Sequence, residues 1–394
     1  MVLLQGCTST GTGLGADINP APATTPTLQA ETGQSASLRP ANGRILGTGP
    51  VRVAMLLPQS ADGFGALAAE NFINSASLAL REFDSNTVNI VVKDTGGTET
   101  GAANAAREAL AEGAEVILGP VFSKNVQQVA AIARPAGVPV ITFSNSTDVG
   151  TRGVYVFGFT PEPGIDRVVR YAGSTGSRSF AALLPNNAFG TLTEASFRES
   201  VNRAGGRIAS ILRYDYGNGE PAARAAEVGA VAASGQIDTV FIPDAGDVAP
   251  QLVSAVKQAA PAAALRFIGS GQWDDPRIFR DPALTGSLYP APEREGYNQF
   301  AQRYNAAFGK PPIRLAGLGY DAASLVIILT QNFGAARFSE DTLTSTSGFK
   351  GLVDGGFRLD SSGRVSRALA VYEVTASGPR AVSPAPAVFA PTTN

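Results

Sequence analysis

Short apolar runs alternate with longer amphipathic stretches from Val51 onward. Four runs are predicted strands, at 51–57, 88–93, 116–118 and 138–142. The stretches between them are predicted helices, at 65–83, 99–111 and 123–134. Continuous apolar strands separated by helical segments are typical of a parallel sheet covered by crossover helices. The pattern therefore predicts a doubly wound α/β unit.

The same alternation restarts after a fifth apolar run at 155–159. The second set of predicted strands lies at 180–184, 207–214, 239–243 and 266–269. Predicted helices follow at 189–204, 221–233, 248–259, 293–308 and 315–333, and the closing strands at 349–353, 356–359 and 368–374.

This repetition predicts two doubly wound, Rossmann-like lobes joined by a hinge. We expect residues 51–159 and 287–366 to form lobe 1, and residues 160–286 and 367–382 to form lobe 2. Open α/β sheets bind ligands at the carboxyl ends of their strands. A ligand cleft between the two lobes is therefore predicted.

The segments outside the lobes have a different composition. Residues 8–50 are rich in Gly, Ser, Thr, Ala and Pro, and residues 383–394 are similar. Such segments bury too little apolar surface to offset the entropy of folding. We expect a flexible tether at 8–50 and a loose tail at 383–394.

Composition narrows the possible chemistry. The chain has no histidine and one cysteine, which excludes Ser-His-Asp and Cys-His catalysis and His-ligated zinc. We therefore expect no enzymatic activity, no metal and no cofactor. The net charge of -2 and the scattered basic residues predict no nucleic-acid partner. The sequence contains no run of eighteen apolar residues, so no membrane span is predicted.

The cysteine lies in a motif near the start of the sequence. Leu4-Gln5-Gly6-Cys7 resembles a bacterial lipobox, although Gln5 is large for its position. The resemblance implies that residues 1–7 are the end of a truncated lipoprotein signal whose true start lies upstream, with Cys7 as the lipidated residue. Thr8 follows, where inner-membrane lipoproteins carry aspartate, so a periplasmic protein anchored to the outer membrane is expected. The alternative is an accidental cysteine in a disordered tail.

Several short motifs together resemble the leucine-binding-protein-like branch of the type I periplasmic binding proteins. They are VAMLLP at 53–58, GFG at 63–65, KDT at 93–95, ILGP at 117–120, GVPVI at 137–141 and GYDA at 319–322. The resemblance implies the type I periplasmic-binding-protein fold and a small polar ligand in its cleft.

The resemblance also implies a candidate ligand site. Ser123 and Ser146 match positions where hydroxyls hold a ligand carboxylate at a helix N-terminus. An ordinary N-cap is the alternative for Ser123. Aromatic walls are expected from Phe64 and Phe189, and Gln272 stands where the family has an amine-binding acid. Ser144 completes the candidate set.

Because an amide cannot pair with an ammonium group as a carboxylate does, an α-amino acid is a doubtful ligand. Asp166, Asp244 or Asp247 could supply the missing charge. Trp273 is expected in a loop near the mouth of the cleft, and helix capping is the favoured role for Asp321.

Two functions remain open. Phe143-Ser144, the GFTPE motif at 158–162 and the tether behind Cys7 resemble the penicillin-binding-protein activators, lipoproteins of this fold that dock on peptidoglycan synthases. That resemblance makes a regulator of peptidoglycan synthesis the first hypothesis, with a peptidoglycan synthase as partner. The alternative is the substrate-binding component of an ABC transporter for branched-chain or related amino acids, with an ABC permease as partner.

Overall fold

The first of two large sheets contains the N-terminal strands. The computed structural model describes residues 39–217, 219–387 and 389, all within one compact unit. The sheet comprises β1 (Arg44–Leu46), β2 (Val51–Leu57), β3 (Val88–Asp94), β4 (Val116–Leu118), β5 (Val140–Thr142) and β6 (Val154–Val156). Its order is β1-β3-β2-β4-β5-β6, and β1 alone is antiparallel to its neighbour.

Helices cover both faces of this sheet. They are α1 (Phe64–Glu82), α2 (Glu99–Ala111) and α3 (Ser123–Ala133), joined later in the chain by α9 (Arg294–Phe308) and α10 (Ala316–Phe333). One core lies beneath α1, α9 and α10, and a second lies beneath α2 and α3. Together they form lobe 1.

The second sheet repeats the architecture with two added antiparallel strands. It comprises β7 (Ser179–Pro185), β8 (Arg207–Tyr214), β9 (Thr239–Ile242), β10 (Arg266–Gly269), β11 (Leu288–Ala291), β15 (Ala370–Thr375) and β16 (Gly378–Ser383). Its order is β16-β15-β11-β10-β9-β7-β8. Its helices, which complete lobe 2, are α4 (Pro161–Ser174), α5 (Ala188–Arg203), α6 (Glu220–Ala233), α7 (Ala249–Ala259) and α8 (Pro276–Arg280).

A small third sheet lies in the segment that links α10 to lobe 2. It contains β12 (Phe349–Lys350), β13 (Gly356–Leu359) and β14 (Val365–Arg367), all antiparallel, and the short helix α11 (Glu340–Leu343) precedes it. The chain thus passes between the lobes three times, after β6, after β11 and after β14. These crossings form the hinge predicted from the sequence.

The local sequence explains why the main elements form. In β2 every residue except Arg52 is buried, as expected for a central parallel strand covered on both faces. Helix α2 presents five alanines to the core, and Thr98 caps it by accepting a hydrogen bond from the Gly101 N–H at 3.0 Å. The small alanine side chains let the helix pack closely against the sheet.

The predicted tether and the predicted tail both extend too far into the folded part of the chain. Arg44–Leu46 form β1, which pairs with the outer edge of β3, and the buried Lys93 ammonium donates to the Asn42 carbonyl. Residues 8–38 lie outside the described part of the chain. At the other end, Ser383 belongs to β16, and the Arg167 guanidinium donates to its hydroxyl at 2.6 Å. Edge pairing, which composition does not reveal, places Arg44–Leu46 and Ser383 in the two large sheets.

One lobe boundary is also misplaced. Leu288–Ala291 were assigned to lobe 1, but they form β11, which pairs with β10 and β15 in the lobe 2 sheet. The second passage between lobes therefore follows residue 291 instead of 286. Helix α4 (Pro161–Ser174) was not predicted at all.

Candidate functional site

A cavity of about 550 Å³ lies where loops of the two lobes converge on the hinge. The parallel strands have the same spatial order in both sheets. The second strand along the chain lies on one side of the first, and the third, fourth and fifth strands follow on its other side. The loops that leave the carboxyl ends of such strands form the ligand crevice of open α/β sheets. The lining includes Asn145 and Ser146 after β5, Phe189 after β7 and Gln272 after β10.

Three of the six predicted ligand residues line this cavity: Ser146, Phe189 and Gln272. They come from both lobes, so the structure brings together residues that lie far apart in the chain. Phe189 is in the first turn of α5, which Asn187 caps by accepting from the Gly190 N–H. Their role in ligand binding stays a prediction.

The other three predicted residues are not among those that line the cavity. Ser123 and Ser144 hydrogen-bond to each other through their hydroxyls at 2.8 Å, and Ser144 is buried. The Ser144 hydroxyl also accepts from the Ser146 N–H at 3.2 Å. The pair therefore supports the loop that carries Ser146. Phe64 begins α1, and half of its side-chain surface is exposed.

The acidic residues considered as amine partners are engaged elsewhere. Asp166 pairs with Arg170 and Arg203 on the helical surface of lobe 2. Asp247 pairs with Arg277. None of these carboxylates lines the cavity.

Asp244 is itself buried and accepts hydrogen bonds from two tyrosines, one buried and one exposed. Its carboxylate accepts from the hydroxyls of Tyr214 at 2.6 Å and Tyr216 at 2.7 Å. Trp273, expected at the cleft mouth, is fully buried, and its indole N–H donates to the Asp244 carbonyl at 2.8 Å. The five-membered ring of the indole lies against Gly269, where a Cβ would come within 2.0 Å of the ring. Trp273 therefore anchors the loop that presents Gln272.

Two arginines that the sequence analysis did not identify lie at the base of the cavity. Arg314, just before α10, donates to the Asp354 carboxylate at 2.6 Å, and that carboxylate is fully buried. Arg367, the last residue of β14, is nine-tenths buried and donates to the Phe157 carbonyl. Both line the cavity. Their scattered positions give no local motif that could have revealed them.

Phe159 connects the two arginines. The guanidinium carbons of Arg314 and Arg367 each lie 4.9 Å from the centroid of its ring. Cations are attracted to the electron-rich face of an aromatic ring, most strongly where water is excluded. Burial lowers the pKa of Arg367 to about 10, against the raising effect of Asp354, so the side chain is still cationic at neutral pH.

Asp321, for which helix capping was favoured, instead binds the backbone of the loop at 352–354. Its carboxylate accepts from the backbone N–H groups of Leu352, Val353 and Asp354 at 2.8, 3.0 and 2.9 Å. It lies inside α10, so it does not cap that helix. Burial and the nearby Asp354 raise its pKa to about 7, although the three N–H groups favour the charged form. Asp321 thus holds the loop whose Asp354 pairs with Arg314.

A family model described as periplasmic binding protein matches residues 50–379, most of the chain. The chain belongs to the periplasmic binding protein family. This confirms the resemblance and the fold class predicted from the sequence. The lining from both lobes agrees with a binding protein whose ligand lies between them.

Solved structures of periplasmic binding proteins show the same fold. A branched-chain amino acid ABC transporter periplasmic ligand-binding protein from Burkholderia xenovorans has 17% identity and a TM-score of 0.68, covering 86% of this chain and 94% of that protein. A leucine binding protein from Thermotoga maritima has 21% identity and a TM-score of 0.58, covering 86% and 98%. An ABC transporter solute binding protein from R. palustris, solved with benzoate, has 19% identity and a TM-score of 0.59, covering 87% and 98%.

A curated relative of this binding protein is an uncharacterized protein of Rickettsia prowazekii, 24% identical over 139 residues. The match spans 35% of this chain and 36% of that protein, so it covers only about a third of the relative.

The described residues also bear on two other classes of site. No group of three or more cysteine or carboxylate side chains in that part of the chain could hold a metal ion. No helix there is long and apolar enough to cross a membrane.

Proposed function

We propose that this periplasmic binding protein captures a small organic solute in the cavity between its lobes and presents it to an ABC permease. The observation that carries the proposal is a formed cavity, lined by residues from both lobes and by two arginines at the hinge. A volume of about 550 Å³ falls within the range of small-molecule sites. In this family, closure of the lobes about the hinge would enclose the solute.

The names of the solved relatives also support the binding of a small organic solute. Those described above are named as ABC transporter proteins or as a leucine binding protein, and one was solved with benzoate. Leucine and benzoate share a carboxylate. Branched-chain or related amino acids remain one solute class for this chain, and other small carboxylates are a second.

The activator hypothesis depends on different features. Docking on a peptidoglycan synthase requires an exposed surface, and it does not require a charged cavity. Cys7, whose lipidation is a prediction, and the segment up to residue 38 supported that hypothesis, and both lie outside the described residues. The activator role therefore stays a prediction, and the cavity favours solute binding.

Ligand screening tests the proposal directly. The purified chain would be heated in the presence of branched-chain amino acids, aromatic carboxylates and peptidoglycan fragments. A solute at 100 times its Kd should stabilise the protein by about 2.7 kcal/mol, seen as a higher Tm. Isothermal calorimetry would then give the affinity.

A cavity-filling variant shows whether the solute occupies this site. A Cβ at Gly271, which lines the cavity, would meet only the Pro290 carbonyl at 3.6 Å, an ordinary contact. Gly271→Leu should therefore fold and lose solute binding. Ala222→Leu, on the exposed surface of α6, is the matched control and should bind normally. Capture of a peptidoglycan synthase with no solute binding would reject transport in favour of activation.

A further inference from the structure

The base of the cavity carries a buried positive charge without a matching acceptor. Arg367 is nine-tenths buried and lines the cavity. Its Nη2 donates to the Phe157 carbonyl, but in the described part of the chain its Nε and Nη1 have no hydrogen-bond partner. Buried guanidinium donors are normally satisfied, because an unpaired buried charge is strongly destabilising. The unpaired donors indicate that an acceptor comes from outside the chain.

The neighbouring carboxylates do not fill this role. Asp354 pairs with Arg314, and its other oxygen is directed toward Gly317 in α10, not into the cavity lining. Asp321 accepts from three backbone N–H groups. Both acids lie close enough to raise the pKa of Arg367, yet neither forms a hydrogen bond with it. No carboxylate in the described part of the chain therefore forms a hydrogen bond with the Arg367 guanidinium.

Two acids line the cavity, and neither forms a hydrogen bond with Arg367 in the described part of the chain. Asp274 forms an ion pair with Arg294 and accepts from the Tyr289 hydroxyl at 3.3 Å. Asp148 is exposed, in the loop after β5. Gln272 is neutral. The cavity lining thus places two guanidinium groups against Phe159, whereas its two carboxylates are the exposed Asp148 and the paired Asp274.

The remaining wall is apolar. Phe159 packs between the two guanidinium groups, and Phe189 and Leu192 project from α5 on the lobe 2 side. Pro161 and Pro290 extend the same surface. A ligand that contacts both regions needs an anionic end and an apolar body.

We propose that the cavity binds an amine-free monocarboxylate with an apolar body, and that Arg367 holds its carboxylate while Arg314 adds positive charge beside it. The inference rests on the proposed function and specifies its solute. A carboxylate would accept charge-assisted hydrogen bonds from the unpaired Nε and Nη1 of Arg367 after a movement of this side chain that uncovers these two buried nitrogens. An α-amino acid binds less well, because burial of its ammonium group is poorly compensated where the lining carboxylates are either exposed or already paired.

Matched probes test the assignment on the unaltered protein. Calorimetry would compare 4-methylpentanoate, its neutral amide and leucine, and in parallel benzoate, benzamide and benzylamine. We expect each carboxylate to bind at least about tenfold more tightly than its amide, since a charge-assisted hydrogen bond is worth that much. Leucine should also bind more weakly than 4-methylpentanoate. An amide, amine or leucine that binds as tightly as the carboxylate overturns the inference.

Inorganic phosphate is the probe for a general anion site. It lacks an apolar body, so we expect it to bind far more weakly than benzoate. Phosphate that binds as tightly as the carboxylates would overturn the assignment. Binding of neutral or cationic probes alone would reject the inference and leave the proposed function standing, whereas no binding by any probe would contradict both.

Variants locate the carboxylate. Arg367→Met and Arg367→Lys should weaken carboxylate binding by about 10- to 100-fold, because lysine keeps the charge but not the guanidinium donors. Arg380→Met, which removes an exposed guanidinium in β16 of the same lobe, is the control and should bind normally. Unchanged affinity in a folded Arg367 variant would overturn the assignment. If neither variant folds, the probe series decides.

Discussion

Replacing Arg314 by methionine tests whether the hinge region depends on a buried ion pair. The Arg314 Nη1 lies 2.6 Å from the Asp354 Oδ1, and the Asp354 side chain is fully buried. At an effective dielectric constant of 20, two charges at this distance attract by about 6 kcal/mol. A third of the Arg314 side chain is exposed, which screens part of this energy. Its guanidinium also lies 4.4 Å from the Tyr297 ring centroid, a contact worth about 1 kcal/mol.

Removing one partner of a buried pair usually costs about 3–5 kcal/mol, because it leaves an uncompensated charge. The nearby Arg367 should compensate part of that charge, so we expect a loss of about 3 kcal/mol for Arg314→Met. The assay is chemical denaturation followed by the fluorescence of Trp273, the single tryptophan, which is fully buried.

Two comparisons make this prediction refutable. Lys310→Met breaks an exposed pair with Glu70 and should cost less than about 1 kcal/mol. The double variant Arg314→Met with Asp354→Asn should be more stable than Arg314→Met alone, because it removes the orphaned charge. An Arg314→Met loss no larger than that of Lys310→Met, or a double variant less stable than the single one, would refute the reasoning.

Three further outcomes are expected. Because the pKa of Asp321 is raised to about 7, the stability it contributes is complete below about pH 4 and is lost as the pH rises through 7. We therefore compare the unfolding free energies of the unaltered protein and Asp321→Asn by denaturation at several pH values. The difference between them should change in favour of Asp321→Asn by up to about 4 kcal/mol as the pH rises across that window, and a difference that stays constant would contradict this. Trp273→Phe leaves the buried Asp244 carbonyl without its donor and should cost about 1–3 kcal/mol, measured by circular dichroism during denaturation. Ser123→Ala should change solute affinity by less than about 0.5 kcal/mol in calorimetry, since Ser123 does not line the cavity; a larger loss would restore it as a ligand residue.

Most of the regular elements could be predicted because their local patterns are strong. The strands at 51–57, 116–118, 207–214 and 266–269 and the helix at 99–111 have the predicted bounds. Helix α4 was missed because Pro161, Pro163 and Gly164 weaken its pattern, although Pro161 is tolerated in its first turn. Strand β1 was missed because it is short and flanked by glycines, and it exists through pairing with β3.

The candidate site was predictable only where it lies at the ends of predicted strands. Ser146 and Gln272 follow β5 and β10, and the motif resemblance identified them with Phe189. The same resemblance suggested Ser123 and Phe64, which are not among the residues that line the cavity, and their role in ligand binding stays a prediction. Asp244 looked available in the sequence because its two tyrosine partners cannot be read from spacing.

The amino-acid sequence by itself determined the two-lobed α/β class, since the period of buried positions in each strand and helix is a local property. It also excluded histidine chemistry outright. Only the tertiary structure decided which side chains share the cavity. Arg314 and Arg367 meet across Phe159 because the chain passes through the hinge more than once, and such long-range contacts leave no periodic signal. The partners of a buried charge are set by three-dimensional packing, and here that packing leaves Arg367 facing the cavity.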